Sequence, residues 1–163
     1  MSVKLELFRI VKRDFAGSLL ASGRAARWNR SNEEVLYTSS SRALASLELL
    51  VHRNAIMTGY AYVVLVIEVS LPNHSVQAVK LGNLPEQWRG IQFYSELQEM
   101  GSNWYQSRSA LLLEVPSAVI PQEKNFVINT KHPLFEKSVS IKRTEAFFWD
   151  ARLPLPASPL AER

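Results

Sequence analysis

Tyr60-Ala61-Tyr62-Val63-Val64-Leu65-Val66-Ile67-Glu68-Val69 is the stretch on which the fold turns. It is a nearly continuous apolar run rich in valine. Such a run, without polar alternation, predicts a strand buried on both faces. Glu68, near its end, reads as a rim residue. The longest uninterrupted apolar segment, Ala61 to Ile67, is far short of the roughly 20 residues that a bilayer span takes.

Working outward, Val3 to Val11 reads as a second strand, because Val3, Leu5 and Leu7 alternate with Lys4 and Glu6. Arg13 to Asn32 is polar, small and irregular, which predicts a long loop. Val35-Leu36-Tyr37-Thr38 is a short strand. Ser39-Ser40-Ser41 offers helix caps, and Arg42 to His52 carries helical spacing. Ala43, Leu44, Leu47, Leu50 and Val51 are expected on the buried face, with Glu48 at its edge and Leu49 opposite. His52 would then be a cation at a helix C-terminus.

Toward the C-terminus, Leu81 to Gly90 is a connection with one proline and two glycines. Phe93 to Gln106 is helical, with Gly101 expected to interrupt it. Leu111 to Val115 is a strand halted by Pro116. Further strands are expected at Phe126-Val127-Ile128 and within Val139 to Trp149. Strands outnumber helices and their order is mixed. This predicts an α+β domain with a central, mostly antiparallel sheet and flanking helices. One domain is expected over 1–152, followed by a proline-rich surface tail over 153–163.

Composition bounds the chemistry. The 163 residues fit one domain, and a 47% apolar fraction can fill its core. There is no cysteine, which removes disulfides, thiolate nucleophiles and cysteine-bound metals together. His52, His74 and His132 lack ligand spacing, so no metal site is expected. No glycine-rich phosphate loop or nucleophile elbow occurs. The N-terminus has no basic-then-apolar design, and a cytoplasmic location is expected. The net charge is +4, but its basic residues are scattered. An anionic small molecule explains the excess about as well as a nucleic acid would, and direct nucleic-acid binding is not expected.

Arg27, Tyr37 and Glu48 follow a loop, a strand and a helix in turn. Singly, each has an ordinary reading: a surface arginine, a core-edge aromatic, a solvated helix residue. Ser117 reads as a turn cap, and Asn125 and Asn129 as loop residues bonding backbone.

The order of the segments changes that weighing. Leu7-Phe8-Arg9-Ile10 precedes Ala26-Arg27-Trp28-Asn29, Val35-Leu36-Tyr37-Thr38-Ser39 and Ala43-Leu44-Ala45-Ser46-Leu47-Glu48. Gly101-Ser102-Asn103-Trp104, Val115-Pro116-Ser117-Ala118-Val119-Ile120-Pro121, Asn125 to Asn129 and His132-Pro133 follow. This ordered set, from about Leu5 to Phe135, resembles the RES-domain family, named for an arginine, a glutamate and a serine. They map onto Arg27, Glu48 and Ser117. The chain departs in having Ala25-Ala26 where the family usually has two glycines. It also lacks the usual Pro-Gly turn between Trp28 and Val35.

The resemblance implies an ADP-ribosyltransferase-like fold and a toxin that breaks the nicotinamide–ribose bond of NAD. It also implies a cognate Xre-type antitoxin with a helix-turn-helix, in a hetero-oligomer or beside a homodimer. NAD would be substrate, not bound cofactor. Glu48 would meet the positive charge developing on the ribose, or hold a ribose hydroxyl. Arg27 and Arg9 would clamp the pyrophosphate, and Tyr37 would stack on nicotinamide. Ser117, with Asn125 on the same wall, would bond the ribose or an acceptor, while Trp28 packs beside Arg27. Phosphate, water and a protein side chain stay open as acceptors. A protein ADP-ribosyltransferase and a catalytically silent binding module are the competing expectations.

Overall fold

The computed structural model describes residues 2–52, 60–72 and 74–154. Seven strands form one sheet in the order β4-β5-β6-β2-β1-β3-β7. They are β1 (Val3–Lys12), β2 (Val35–Ser39), β3 (Tyr62–Leu71), β4 (Val76–Ala78), β5 (Leu112–Pro116), β6 (Lys124–Asn129) and β7 (Val139–Phe147). The helices are α1 (Arg42–Val51), α2 (Tyr94–Ser107) and the single turn α3 (Phe135–Ser138). All strand pairs are antiparallel except β4 with β5. The α+β expectation therefore describes the molecule. β4 and α3 are too short to leave a periodic signal.

The valine run is β3, between β1 and β7. Its residues from Tyr62 to Ile67 are all buried. Cross-strand partners share a face and side chains alternate. One face thus gathers Leu7, Leu65, Ile67, Leu36, Ile128 and Leu112 into the largest core cluster, completed by Phe135 and Val139. The other face carries both longer helices. Ala45 of α1 packs on Phe8, Val64 and Val66, and Leu97 and Trp104 of α2 pack with Trp28, Val35, Leu113 and Val127.

Two expectations are corrected. Helix α1 buries Leu44 and Ala45, with Glu48 and Leu49 half-buried, while Ala43, Leu47 and Val51 are exposed. The stripe at 44, 45, 48 and 49 meets the sheet, because apolar residues lie on both sides of this helix and hydrophobicity alone does not choose between them. Gly101 does not interrupt α2, which runs unbroken through it. A Cβ at Gly101 would overlap the carbonyl oxygen of Trp28. The glycine is there for close approach of the loop, not as a break. Of the expected proline-rich tail, Leu153 and Pro154 are exposed, and 155–163 lie outside the described residues.

The sheet has one weak seam. β1 pairs with β3 along its whole length, from Val3↔Leu71 to Lys12↔Tyr62. With β2 it shares a single register pair, Phe8↔Ser39. That one pair is the whole of the register between them among the described residues.

Candidate active site

Glu48 lies on α1, whose N-terminus is fixed by Ser41: the Ser41 hydroxyl accepts from the Leu44 amide at 3.1 Å. One turn after Leu44, Glu48 is held against the sheet. Its Oε1 accepts from the Ser117 hydroxyl at 2.7 Å and from Asn125 Nδ2 at 2.7 Å. Oε2 has no hydrogen-bond partner among the described residues. The carboxylate is anchored through one oxygen.

Both anchors are themselves fixed. Ser117 is fully buried, and its Oγ also accepts from the Val119 and Ile120 amides at 3.0 and 3.1 Å. It caps the turn after β5, as its sequence position suggests, and bonds Glu48 as well. Asn125, on β6 opposite Val115, accepts through Oδ1 from the Ser39 hydroxyl at 2.7 Å.

Arg27 sits at the tip of a tight turn closed by reciprocal backbone bonds between Ala26 and Asn29. Several groups set this turn. Gln98 Nε2 donates to the Ala26 carbonyl at 2.8 Å. Asn29 Nδ2 donates to the carbonyls of Arg24 and Arg30, and Trp28 is buried against Gly101. The turn therefore forms with Ala25-Ala26 in place of glycines. The guanidinium stacks over the Tyr94 ring at 4.7 Å and lies 5.7 Å from the Trp88 ring centroid. Nη1 donates to the carbonyls of Trp88 and Arg89 at 3.3 and 3.0 Å. No carboxylate pairs with Arg27 among the described residues, and the rest of its fork has no partner there.

Tyr37 is tied to the same turn. Its hydroxyl donates to Asn29 Oδ1 at 2.6 Å and accepts from the Trp28 amide at 3.1 Å. Burial, ahead of neighbouring charges, pushes its pKa well above the usual phenol value. The hydroxyl is thus committed to the scaffold, and only the ring is left for stacking. Arg9, on β1, reaches β2 and donates from Nη1 to the Tyr37 carbonyl at 2.9 Å. Burial lowers its pKa, against a guanidinium's ordinarily very high value.

The structure brings Glu48, Ser117 and Asn125 into direct contact. Arg27 and Tyr37 share one turn but do not touch that triad. A longer path links them: Arg27 bonds the Arg89 carbonyl, and Arg89 reaches the Ala118 carbonyl, beside Ser117, at 3.4 Å. Arg9 meets the site only at the Tyr37 backbone. Sequence reasoning missed Asn29, Trp88, Tyr94 and Gln98, which hold Arg27. Only the closely spaced aromatics Trp88 and Tyr94 could have hinted at a cation-stacking site. Asn129, read as a backbone-bonding residue, donates to the Tyr105 carbonyl.

The chain is similar to several known proteins. The "Prs ADP-ribosylating toxin" of Sphingobium sp. (strain YBL2) is 33% identical over 141 residues, covering 85% of this chain and 84% of that protein. "Toxin Res" of Yersinia enterocolitica serotype O:8 is 31% identical over 151 residues, covering 90% and 98%. Among solved structures, the M. tuberculosis MbcT-MbcA toxin-antitoxin complex contains a chain matching with a TM-score of 0.69. That match covers 90% of this chain and 86% of the other, and at 14% identity it bears on the fold alone. The RES domain family model matches residues 6–150, nearly the whole of the sheet and every site residue described above, and the chain belongs to the RES domain family.

Proposed function

We propose that this protein is a cytoplasmic toxin that breaks the nicotinamide–ribose bond of NAD, as a phosphorylase or glycohydrolase, and is neutralised by a cognate Xre-type antitoxin. The observation that carries the reading is the Glu48 carboxylate, held at one oxygen by Ser117 and Asn125 and without a hydrogen-bond partner at the other among the described residues.

Nicotinamide is cationic while attached to ribose and leaves neutral, taking the bonding electron pair onto its ring nitrogen. It needs no general acid, so one carboxylate can serve where ordinary glycosidases use two. Positive charge grows on the ribose as the bond breaks. A carboxylate about 4 Å away in an effective dielectric of 20 gains roughly 4 kcal/mol from that charge. Realised only in the transition state, that gain is worth about a thousandfold in rate.

Arg27 and Arg9 supply positive charge for the phosphates, and an arginine fork suits them. The ring of Tyr37 would stack on the flat leaving group or close its pocket. Ser117 and Asn125 are positioning residues that orient Glu48; the buried Ser117 hydroxyl gives its proton to Glu48 and its lone pairs to two amides, which leaves it none for a ribose. The vacated carbon then takes an oxygen from phosphate, giving ADP-ribose-1-phosphate, or from water, giving ADP-ribose and a proton. Transfer to a protein side chain is the second reading, favoured by the printed name of the Sphingobium relative.

The test is to incubate the purified protein with NAD, with and without phosphate and with a cell extract, and to identify the products. Nicotinamide release without added metal is expected. Its absence from folded protein under every condition would overturn the reading. Label appearing on protein instead of free ADP-ribose would select the second one.

A further inference from the structure

The Gly101-Ser102-Asn103-Trp104 segment gives its glycine to the turn bearing Arg27, and its serine has a partner of its own. Ser102 lies on α2 with Gln98, Gly101 and Tyr105. These four fall at i, i+3, i+4 and i+7, which is one face of a helix. All four meet the same stretch of chain, 26–34. Gln98 Nε2 donates to the Ala26 carbonyl at 2.8 Å. Gly101 lies against the Trp28 carbonyl. The Ser102 hydroxyl donates to Glu33 Oε1. The Tyr105 hydroxyl accepts from the Glu34 amide at 3.2 Å.

Glu33 is a carboxylate only 5% exposed, and Ser102 is 6% exposed. The second carboxylate oxygen, Oε2, accepts from the Arg30 amide at 2.7 Å. The backbone closes the same turn, the Glu33 amide donating to the Arg30 carbonyl at 3.3 Å. Asn32 takes the left-handed conformation there, at φ 68°. In this segment, which lacks a Pro-Gly turn, a side chain does the closing. No cation forms an ion pair with Glu33 among the described residues. Burying a carboxylate without a cation is costly, so Glu33 is a poor choice for stability alone.

From Glu33 the contacts run to Arg27 without a gap. Glu33 fixes Arg30, whose carbonyl accepts from Asn29 Nδ2 at 3.0 Å. Asn29 closes the Arg27 turn through its reciprocal backbone bonds with Ala26. Its Oδ1 also accepts from the Tyr37 hydroxyl.

We infer that Glu33 is a positioning residue for Arg27. Locked to Ser102, it sets the 30–33 turn that holds Asn29, and so fixes where the guanidinium stands. What Arg27 then binds rests on the NAD reading above; the path of contacts does not.

Glu33→Gln, which keeps the volume and removes the charge, and Ser102→Ala, which removes one donor, test it on the full chain. Reaction of Arg27 with phenylglyoxal, followed by peptide mass spectrometry, reads the guanidinium without NAD. It should run about threefold faster or more in both variants as the turn loosens. Calorimetry should show NAD affinity weakened by about tenfold. In an Arg27→Ala background, Glu33→Gln should add nothing to the loss, whereas a merely structural role would weaken both backgrounds alike. Should Glu33→Gln fail to fold, Ser102→Ala carries the same readouts. Unchanged Arg27 reactivity in the folded variants overturns the inference. So does unchanged affinity in a chain that binds NAD, or a loss that persists without Arg27. Faster labelling of Arg27 in variants of a chain that neither binds nor cleaves NAD sinks the NAD reading and leaves the positioning role standing.

Discussion

The two halves of the sheet are built differently. In the β1-β3-β7 half the strands are long, and β3 is buried against both neighbours. A ladder of ion pairs crosses one of its faces: Lys4–Glu68, Lys142–Glu6, Lys142–Glu68, Arg143–Glu145 and Arg42–Glu145. In the β2-β6-β5-β4 half the strands are at most six residues long. That half is finished by single side-chain bonds, such as Ser39 to Asn125 and Asn125 to Glu48. The contrast separates two tasks. Redundant backbone pairing holds the shape of one half, and individual polar contacts set the chemistry of the other. Perturbing the first should register as stability, and perturbing the second as rate.

Glu48→Gln should give the largest effect. Glutamine keeps an acceptor for Ser117 and Asn125 but carries no charge. The expected outcome is a fall in kcat of about a hundredfold or more with NAD still bound, because the lost interaction grows in the transition state. Single-turnover kinetics and calorimetry check it. An unfolded variant would make Glu48 a structural residue and erase the contrast between the halves.

Gly101→Ala should come next and should cross the divide. The added Cβ meets backbone at Trp28, so the turn bearing Arg27 must shift. A loss of about 2 kcal/mol is expected, seen as a melting temperature lower by roughly 6 °C. NAD turnover should fall by on the order of tenfold to a hundredfold through lost positioning. A stable variant with normal kinetics would show that the close approach is dispensable.

Asn125→Ala leaves Ser117 as the one remaining anchor of Glu48 described here. Losing one such hydrogen bond should lower kcat by about tenfold, with KM for NAD nearly unchanged. Asn125→Asp, which loses the donor and adds a charge, should not restore the rate. If KM rises and kcat holds, Asn125 touches substrate instead of positioning Glu48.

The smallest effect belongs to the ladder. Arg42 holds the Glu145 carboxyl at a pKa of about 2, with burial opposing and Arg143 assisting. A carboxyl whose pKa is depressed on folding stabilises the fold above its unfolded value, about 4.5, and the contribution is lost as pH falls through the folded value. The Glu145 contribution should therefore vanish between about pH 4.5 and 2. Glu145→Gln should lower the melting temperature by no more than about 2 °C at neutral pH, since exposed pairs contribute little. It should leave NAD turnover alone. A large loss of activity would contradict the division between the halves.

The stable half was largely legible in sequence, and the site half much less so. The valine run and the Val3–Val11 alternation mark β3 and β1 because burial there is simple and continuous. Ser41 as a helix cap was legible for the same local reason. The face of α1 was not, because Leu47, Leu49, Leu50 and Val51 surround the helix and only tertiary packing turns Leu49 inward. Glu48, Ser117 and Asn125 emerged from the ordered motif resemblance, not from periodicity. Their contacts span 69 and 77 residues of chain, a distance that no local pattern encodes. The aromatic seat of Arg27 escaped for the same reason.

Those separations also bear on how the molecule is made. A ribosome delivers Glu48 long before Ser117 and Asn125, and β2 well before its partner β6. β1, although first synthesised, lies inside the sheet between two strands that arrive later. Pairings so distant along the chain form slowly and late. The carboxylate therefore acquires its anchors only after a further 69 and 77 residues have been added. A nascent chain halted before β6 would carry the glutamate with neither Asn125 to fix it nor β6 to pair with β2. Maturation of the site in this way waits on the synthesis of β6.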